Sequence, residues 1–84
     1  MKPVRLSGHA LDQLSSRGLT ETEIVEAIHN EPWQPADMGR LECRKDFPFN
    51  QEWNGTVYAV NQVRPIFVDE PDEIVVVTVY SYYF

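Results

Sequence analysis

Two segments near the start of the chain repeat apolar residues at the spacing of amphipathic helices. Ser7 is a typical N-cap for a helix that runs to about Arg17, and Gly18 supplies the left-handed residue that ends it. A second helix begins at the capping-box pattern of residues 20–23, runs to about residue 30 and ends before Glu31-Pro32. The first third of the chain is therefore predicted to form two short helices.

The second half of the chain alternates apolar and polar residues at the period of β-strands. Strands are expected at residues 41–45, 56–60, 64–68 and 73–84. Asn54-Gly55 and Glu70-Pro71-Asp72 are turn signals, whereas the path of residues 33–54 stays open. Two helices followed by three or four strands predict an α+β domain, in which an antiparallel sheet packs on the helix pair.

The last strand, EIVVVTVYSYYF, has two different faces under strict alternation. One face is predicted to be core and carries Val75, Val77 and Val79. The other face mixes apolar side chains with one hydroxyl and two phenols, and consists of Ile74, Val76, Thr78, Tyr80 and Tyr82. Such a face either holds a polar ligand against the sheet or forms a second packing surface with locally bonded hydroxyls.

Length and charge limit the classes of function. The 84 residues predict a single domain, residues 1–84, and a net charge of −6 argues against bulk attraction to nucleic acid. However, Arg40, Arg44 and Lys45 lie close together, and Arg17 and Arg64 add to them if the fold brings them near. The sequence is compatible with a local positive patch and, alternatively, with basic residues dispersed over the surface. No apolar segment is long enough to span a membrane, and no apolar signal region is present, so we expect a cytoplasmic protein without a membrane partner.

The first helix carries polar residues that suit phosphate chemistry. His9, Gln13 and Arg17 follow one another at intervals of four, so they line one side of the helix beside its apolar stripe. Histidine can transfer protons near neutral pH, and arginine can bind a phosphate through two hydrogen bonds. Alternatively, His9 and Arg17 stabilise the helix ends. Arg44 is a further candidate, whereas the single cysteine and scattered histidines predict neither a metal site nor a cofactor.

Several short motifs together resemble one small bacterial family. These motifs are His9-Ala10, Arg17-Gly18-Leu19-Thr20, Glu23-Ile24 and the ending Ile74 to Tyr80. In this order and spacing they resemble the domain-of-unknown-function family 4258, which is similar in outline to the BrnT and RelE toxin folds. The resemblance spans nearly the whole chain. It implies N-terminal helices packed on a curved antiparallel sheet, and a metal-independent ribonuclease that pairs with an antitoxin.

The implied reaction is attack of a ribose 2′-hydroxyl on the neighbouring phosphate, which needs a base, an acid and cations. Under this hypothesis, His9 is the base or acid, and Arg17 and Arg44 stabilise the phosphate. Thr78 and Tyr80 position the phosphate from the sheet, with Tyr80 as a further proton donor. The assignment requires His9 to lie over the Thr78 side of the last strand.

A non-catalytic interaction module is the competing hypothesis. The uncharged ending Ser81-Tyr82-Tyr83-Phe84 is either an edge that pairs with a strand of a partner or a buried terminal strand. The partner would be a cognate antitoxin or a second copy of the chain, whereas RNA is the partner under the enzyme hypothesis.

Overall fold

Two ten-residue helices pack on one face of a six-stranded sheet in the computed structural model, which describes residues 2–84. The elements follow in the order β1 (Val4–Leu6), α1 (Gly8–Arg17), α2 (Glu21–Asn30), β2 (Gln34–Pro35), a 3-10 turn (Asp37–Gly39), β3 (Leu41–Glu42), β4 (Lys45–Trp53), β5 (Thr56–Asp69) and β6 (Ile74–Tyr83). The α+β prediction is confirmed. The expectation of three or four antiparallel strands is wrong in detail, because β1 precedes the helices and runs parallel to β6.

Both helices begin and end where the sequence indicates. The Ser7 hydroxyl accepts a hydrogen bond from the Ala10 amide, and Gly18 ends α1 in the left-handed region with φ of 70°. At the start of α2, Thr20 and Glu23 form the reciprocal capping box. Neither helix is long and apolar enough to cross a membrane, as judged over residues 2–84.

The strands are ordered β1-β6-β5-β3-β2, and β4 pairs with the remaining length of β5. β5 is one continuous strand of 14 residues where two strands were predicted. The polar pair Asn61-Gln62 interrupts the apolar pattern, but Asn61 is buried and its amide nitrogen donates to the Ser81 hydroxyl and the Tyr82 carbonyl. A buried polar side chain with satisfied hydrogen bonds therefore continues the strand.

A β-bulge in β6 overturns the predicted alternation of that strand. Ile66 pairs with Thr78, but the next residue of β5, Phe67, pairs with Val76, so Val77 is an extra residue on β6. The buried side chains of β6 on the helix side are consequently Ile74, Val76 and Val79. Thr78 stays on the opposite face, together with Tyr80 and Tyr82. The prediction of Val75, Val77 and Val79 as the core face is wrong except for Val79.

The core lies between the helices and the sheet. It is formed by the buried apolar side chains Leu6, Ala10, Leu19, Ile24, Ala27, Ile28, Cys43, Val63, Phe67, Ile74, Val76 and Val79. Residues 33–54 close its far side: Trp33 packs edge-on against Phe67 with ring centroids 5.1 Å apart. Asn54-Gly55 forms the predicted turn, and both residues have positive φ. Because the helices bury this one face, the other face of the sheet is left open.

Candidate functional site

A cleft of about 470 Å³ lies on the open face of the sheet. Its lining residues are Pro35, Ala36, Asp37, Arg40, Glu42, Arg64, Ile66, Thr78 and Tyr80. The sheet register explains the floor, because Glu42 and Thr78 both pair with Ile66, and Arg64 pairs with Tyr80. Residues 35–40, which connect β2 to β3, form one wall.

An ion pair between Glu42 and Arg64 occupies the centre of this face. The Arg64 Nε donates to one carboxylate oxygen of Glu42 at 2.6 Å, and its Nη2 donates to the other oxygen at 3.0 Å. Its Nη1 donates to the Tyr82 hydroxyl at 3.2 Å. These hydrogen bonds lower the pKa of Glu42 and raise the pKa of Arg64. Glu42 is therefore ionised near neutral pH, and the Arg64 guanidinium is held in one orientation.

The ring of Tyr80 lies against two guanidinium groups. The Arg64 Cζ is 5.3 Å from the ring centroid, and the Arg17 Cζ is 5.7 Å from it, which are cation–π distances. The Arg17 Nε is buried, and within residues 2–84 it has no hydrogen-bond partner. A helix residue and a strand residue thus place two cations beside one phenol.

Gln13 connects α1 to β6 directly at the bulge. Its Oε1 accepts a hydrogen bond from the Thr78 hydroxyl and another from the Val79 amide, both at 2.9 Å. Val79 and Pro65 face each other at a non-hydrogen-bonded position of the antiparallel ladder, so the Val79 amide points away from β5, and Pro65 fits this position because it needs no N–H toward β6. One glutamine side chain therefore holds the hydroxyl of Thr78 in place.

The structure brings three of the five predicted site residues together. Thr78 and Tyr80 line the cleft, and Arg17 lies beside Tyr80. Arg44 is exposed and does not line the cleft, although its Nε is 3.6 Å from a carboxylate oxygen of Glu42. His9 is exposed on the first turn of α1 and is not among the lining residues.

The expected contact between α1 and Thr78 exists, but a different side chain makes it. Gln13, one helical turn after His9, contacts Thr78. The ribonuclease hypothesis places His9 over Thr78, on the side of the helix that His9 shares with Gln13. The bulge and the edge of β6 instead meet α1 at Gln13.

The sequence alone assigns no role in the site to Glu42. It places Arg40 and Arg64 only in a candidate positive patch, and Tyr82 only on the face of the last strand that could hold a polar ligand. The available signal is the alternation of β5, which places Gln62 and Arg64 on the face opposite the buried Val63. Nothing in the local sequence around Glu42 indicates its pairing with Arg64, because 22 residues separate them.

The seven basic residues are distributed unevenly over the fold. Three of them form ion pairs away from the cleft: Lys2 with Asp69, Arg5 with Glu73, and Lys45 with Glu31. The other four are arginines in or beside the cleft, namely Arg17, Arg40, Arg44 and Arg64. Within residues 2–84, Arg17 and Arg40 have no carboxylate oxygen within 4.0 Å.

Acidic and sulfur side chains elsewhere are less suited to ligand chemistry. In the part of the chain that the structure describes, no three His, Cys, Asp or Glu side chains are grouped to hold a metal ion. Cys43 is 2% exposed, and burial raises the pKa of its thiol to about 12. It is therefore a core residue rather than a nucleophile.

Comparisons of the chain with protein-family models, with curated proteins and with solved structures find no match. The resemblance to family 4258, the ribonuclease activity and the antitoxin partner stay predictions. The geometry of the cleft is therefore the basis for assigning a function to this chain.

Proposed function

We propose that this protein binds single-stranded RNA across the cleft and cleaves it without a metal ion. The observation that carries the proposal is the grouping of three arginines, Arg17, Arg40 and Arg64, in or beside the cleft that Thr78 and Tyr80 line, in a protein with a net charge of −6. Arginine is suited to phosphate because its planar fork donates two parallel hydrogen bonds.

Phosphate binding is supported by the cations that have no acidic partner. Arg40 lines the cleft, and the Arg17 Cζ lies over the Tyr80 ring, 5.7 Å from its centroid. The Arg17 Nε is buried, so a phosphate would bind Arg17 through its terminal nitrogens. Asp37 and Glu42 also line the cleft and balance the charges of Arg40 and Arg64, so the positive charge around the cleft depends on Arg17 and Arg44, which lie outside its lining.

Single-stranded RNA fits the aromatic side chains of the open face. Tyr80 and Tyr82 are exposed by 37% and 40%, and they lie two residues apart on the same strand face. Proteins that bind single strands stack bases on such rings while cations follow the backbone. A duplex offers no free base faces, so we expect the site to prefer unpaired RNA.

Cleavage needs one proton acceptor and one proton donor at the cation-rich cleft. In the proposed reaction the 2′-oxygen attacks phosphorus, its proton passes to the Glu42 carboxylate, and the bond from phosphorus to the 5′-oxygen breaks. Tyr80 donates a proton to that leaving oxygen, which gives a 2′,3′-cyclic phosphate and a 5′-hydroxyl end. Arg17 and Arg64 stabilise the charge that develops on the phosphate. Because the pKa of Glu42 is lowered, it is a weak base, and we expect slow cleavage.

The test is cleavage of a mixed-sequence single-stranded RNA by purified protein in excess chelator. We expect the parent to form cyclic-phosphate ends, and Tyr80→Phe to bind RNA as tightly but cleave it about a hundredfold more slowly or worse. Arg40→Ala should weaken binding, whereas Arg5→Ala, which changes a cation outside the cleft, should not. An inactive, folded parent that also fails to bind RNA would refute the proposal.

His9→Ala separates the two assignments of the proton-transfer groups. Because His9 does not line the cleft, we expect this variant to cleave RNA at the parental rate. A loss as large as that of Tyr80→Phe would show that the assignment based on the sequence is the right one.

A second function is favoured by the outer edge of β6. β1 pairs with this edge only at Ile74–Val76, and the Gln13 side chain accepts a hydrogen bond from the Val79 amide. By the alternation of an antiparallel ladder, the N–H and C=O of Ser81 point to the same edge, which has no strand neighbour in the described residues. An extended segment of a partner, or of a second copy, can pair there.

The variant Ser81→Pro tests this interaction module, because proline removes the outward N–H without breaking a backbone hydrogen bond to β5. It also removes the hydroxyl that accepts from Asn61 of β5, so Ser81→Ala, which removes the hydroxyl but keeps the N–H, is the matched control. Self-association of the parent in sedimentation experiments, abolished by Ser81→Pro in a folded protein, would support it. A parent that is monomeric at all concentrations would oppose pairing between copies.

A further inference from the structure

Thr78 lines the cleft, and its hydroxyl already has a partner in Gln13. The Val79 amide is always a donor, so the Gln13 atom that meets it must be the oxygen and not the nitrogen of the side-chain amide. The same oxygen is 2.9 Å from the Thr78 hydroxyl, and two oxygens share a hydrogen bond only if the hydroxyl donates. The one proton of Thr78 is therefore already in use.

This geometry changes the role that the sequence suggests for Thr78. Phosphate oxygens are acceptors, and a hydroxyl without a free proton cannot bind them. A ligand group that forms a hydrogen bond with the Thr78 oxygen must therefore be a donor. In a bound strand the donors are base N–H groups and ribose 2′-hydroxyls, and the bases are expected to stack on the tyrosines. The 2′-hydroxyl is present in every ribonucleotide and absent from DNA.

We propose that Thr78 accepts a hydrogen bond from a ribose 2′-hydroxyl and thereby makes the cleft select RNA over DNA, with Gln13 as the positioning residue. This inference rests on the proposed function of RNA binding. The ribose concerned is not the attacking one, because an attacking 2′-hydroxyl must present its proton to the base. It belongs to a neighbouring nucleotide of the same strand.

The hydroxyl is well prepared for this role. Thr78 lies next to the bulge, is half-buried, and is held from α1 by Gln13, so its rotamer is set before the ligand arrives. A preorganised acceptor loses little conformational entropy on binding. One such hydrogen bond corresponds to about a fivefold preference in affinity.

The experiment compares four strands of one sequence: RNA, DNA, 2′-fluoro RNA and 2′-O-methyl RNA. All are measured by fluorescence anisotropy with the Tyr80→Phe variant, so that cleavage does not disturb binding. The 2′-fluoro strand keeps the sugar pucker of RNA but has no donor at the 2′-position. We expect RNA to bind about fivefold more tightly than each of the other three.

Thr78→Val then tests the residue itself, because valine keeps the β-branched shape that suits a strand. In the same background, Thr78→Val should lower RNA affinity to that of 2′-fluoro RNA and leave the affinity for 2′-fluoro RNA unchanged. Thr78→Ser, which restores the hydroxyl, should restore the preference.

The outcomes separate this inference from the proposed function. If no strand binds, the proposed function fails. If RNA and 2′-fluoro RNA bind equally, RNA binding stands but the inference is overturned. A preference for RNA that survives in Thr78→Val would assign the discrimination to another residue and would also overturn it.

Discussion

Replacing Glu42 with glutamine should loosen the fold and strengthen RNA binding at the same time. The carboxylate accepts two hydrogen bonds from Arg64, and the side chains of the pair are only 12% and 23% exposed. Arg44 is also near this carboxylate, at 3.6 Å. Glu42 thus neutralises one of the two arginines that line the cleft. An amide keeps the shape of the side chain but not its charge.

The expected magnitudes follow from the hydrogen bonds and the charge. Glutamine retains one acceptor but turns charge-assisted bonds into weaker ones in a largely buried pair, so the free energy of unfolding should fall by about 2 kcal/mol. Release of Arg64 adds about one phosphate contact. The affinity for RNA should rise about five- to tenfold at low salt, and the slope of log K against log salt should steepen by about 0.7.

The assay combines urea denaturation with anisotropy titrations of a fluorescent RNA at several salt concentrations. Glu73→Gln is the matched control, because Glu73 also accepts two hydrogen bonds from one arginine, Arg5, but is more exposed and does not line the cleft. Both variants change the net charge by one unit. We expect Glu73→Gln to leave RNA affinity within about twofold.

Equal gains in RNA affinity for the two variants would refute the reasoning, because bulk charge and not the cleft would then control binding. Glu42→Gln should also cleave RNA more slowly than the parent despite binding it more tightly. If Glu42→Gln cleaved RNA faster than the parent, Glu42 would not be the base.

Three further predictions concern the fold. Gly18→Ala should lower the free energy of unfolding by about 2–4 kcal/mol in chemical denaturation, because φ is 70° and a Cβ would lie 2.5 Å from the Tyr83 hydroxyl. Cys43 should react with iodoacetamide about a thousandfold more slowly in native than in unfolded protein, since burial raises the pKa of its thiol from 9.0 to about 12. The stabilisation from the lowered pKa of Glu42 is complete above the unfolded pKa of 4.5 and is lost as the pH falls through the lower folded value, so parent and Glu42→Gln should converge in stability in acid.

The helices were predictable because their ends are encoded locally. Ser7, Gly18 and the Thr20–Glu23 capping box each act within four residues of the backbone groups that they satisfy. The strand order was not predictable in the same way. β1 is only three residues long, and it forms because Val4–Leu6 can pair with Ile74–Val76 at the other end of the chain. No local pattern of three residues reveals such a partner.

The site illustrates the same limit. Alternation along β6 correctly placed Thr78 and Tyr80 on one face, but the bulge at Val77 moved Ile74 and Val76 off it. The spacing of His9, Gln13 and Arg17 correctly predicts that this side of α1 faces the last strand. Which of these side chains contacts Thr78 depends on how α1 is rotated about its axis in the packed fold, and the structure selects Gln13. Short-range rules therefore predict which residues share a face, and long-range pairing decides which faces meet.

The most direct test of RNA binding at the cleft compares Arg40→Glu with Arg5→Glu. Both variants have the same net charge, but Arg40 lines the cleft without an acidic partner, whereas Arg5 is paired with Glu73 outside it. In anisotropy titrations with single-stranded RNA in chelator, we predict that Arg40→Glu loses about tenfold or more in affinity and that Arg5→Glu stays within about twofold of the parent. Equal losses in the two variants, or no binding by the parent, would contradict the account.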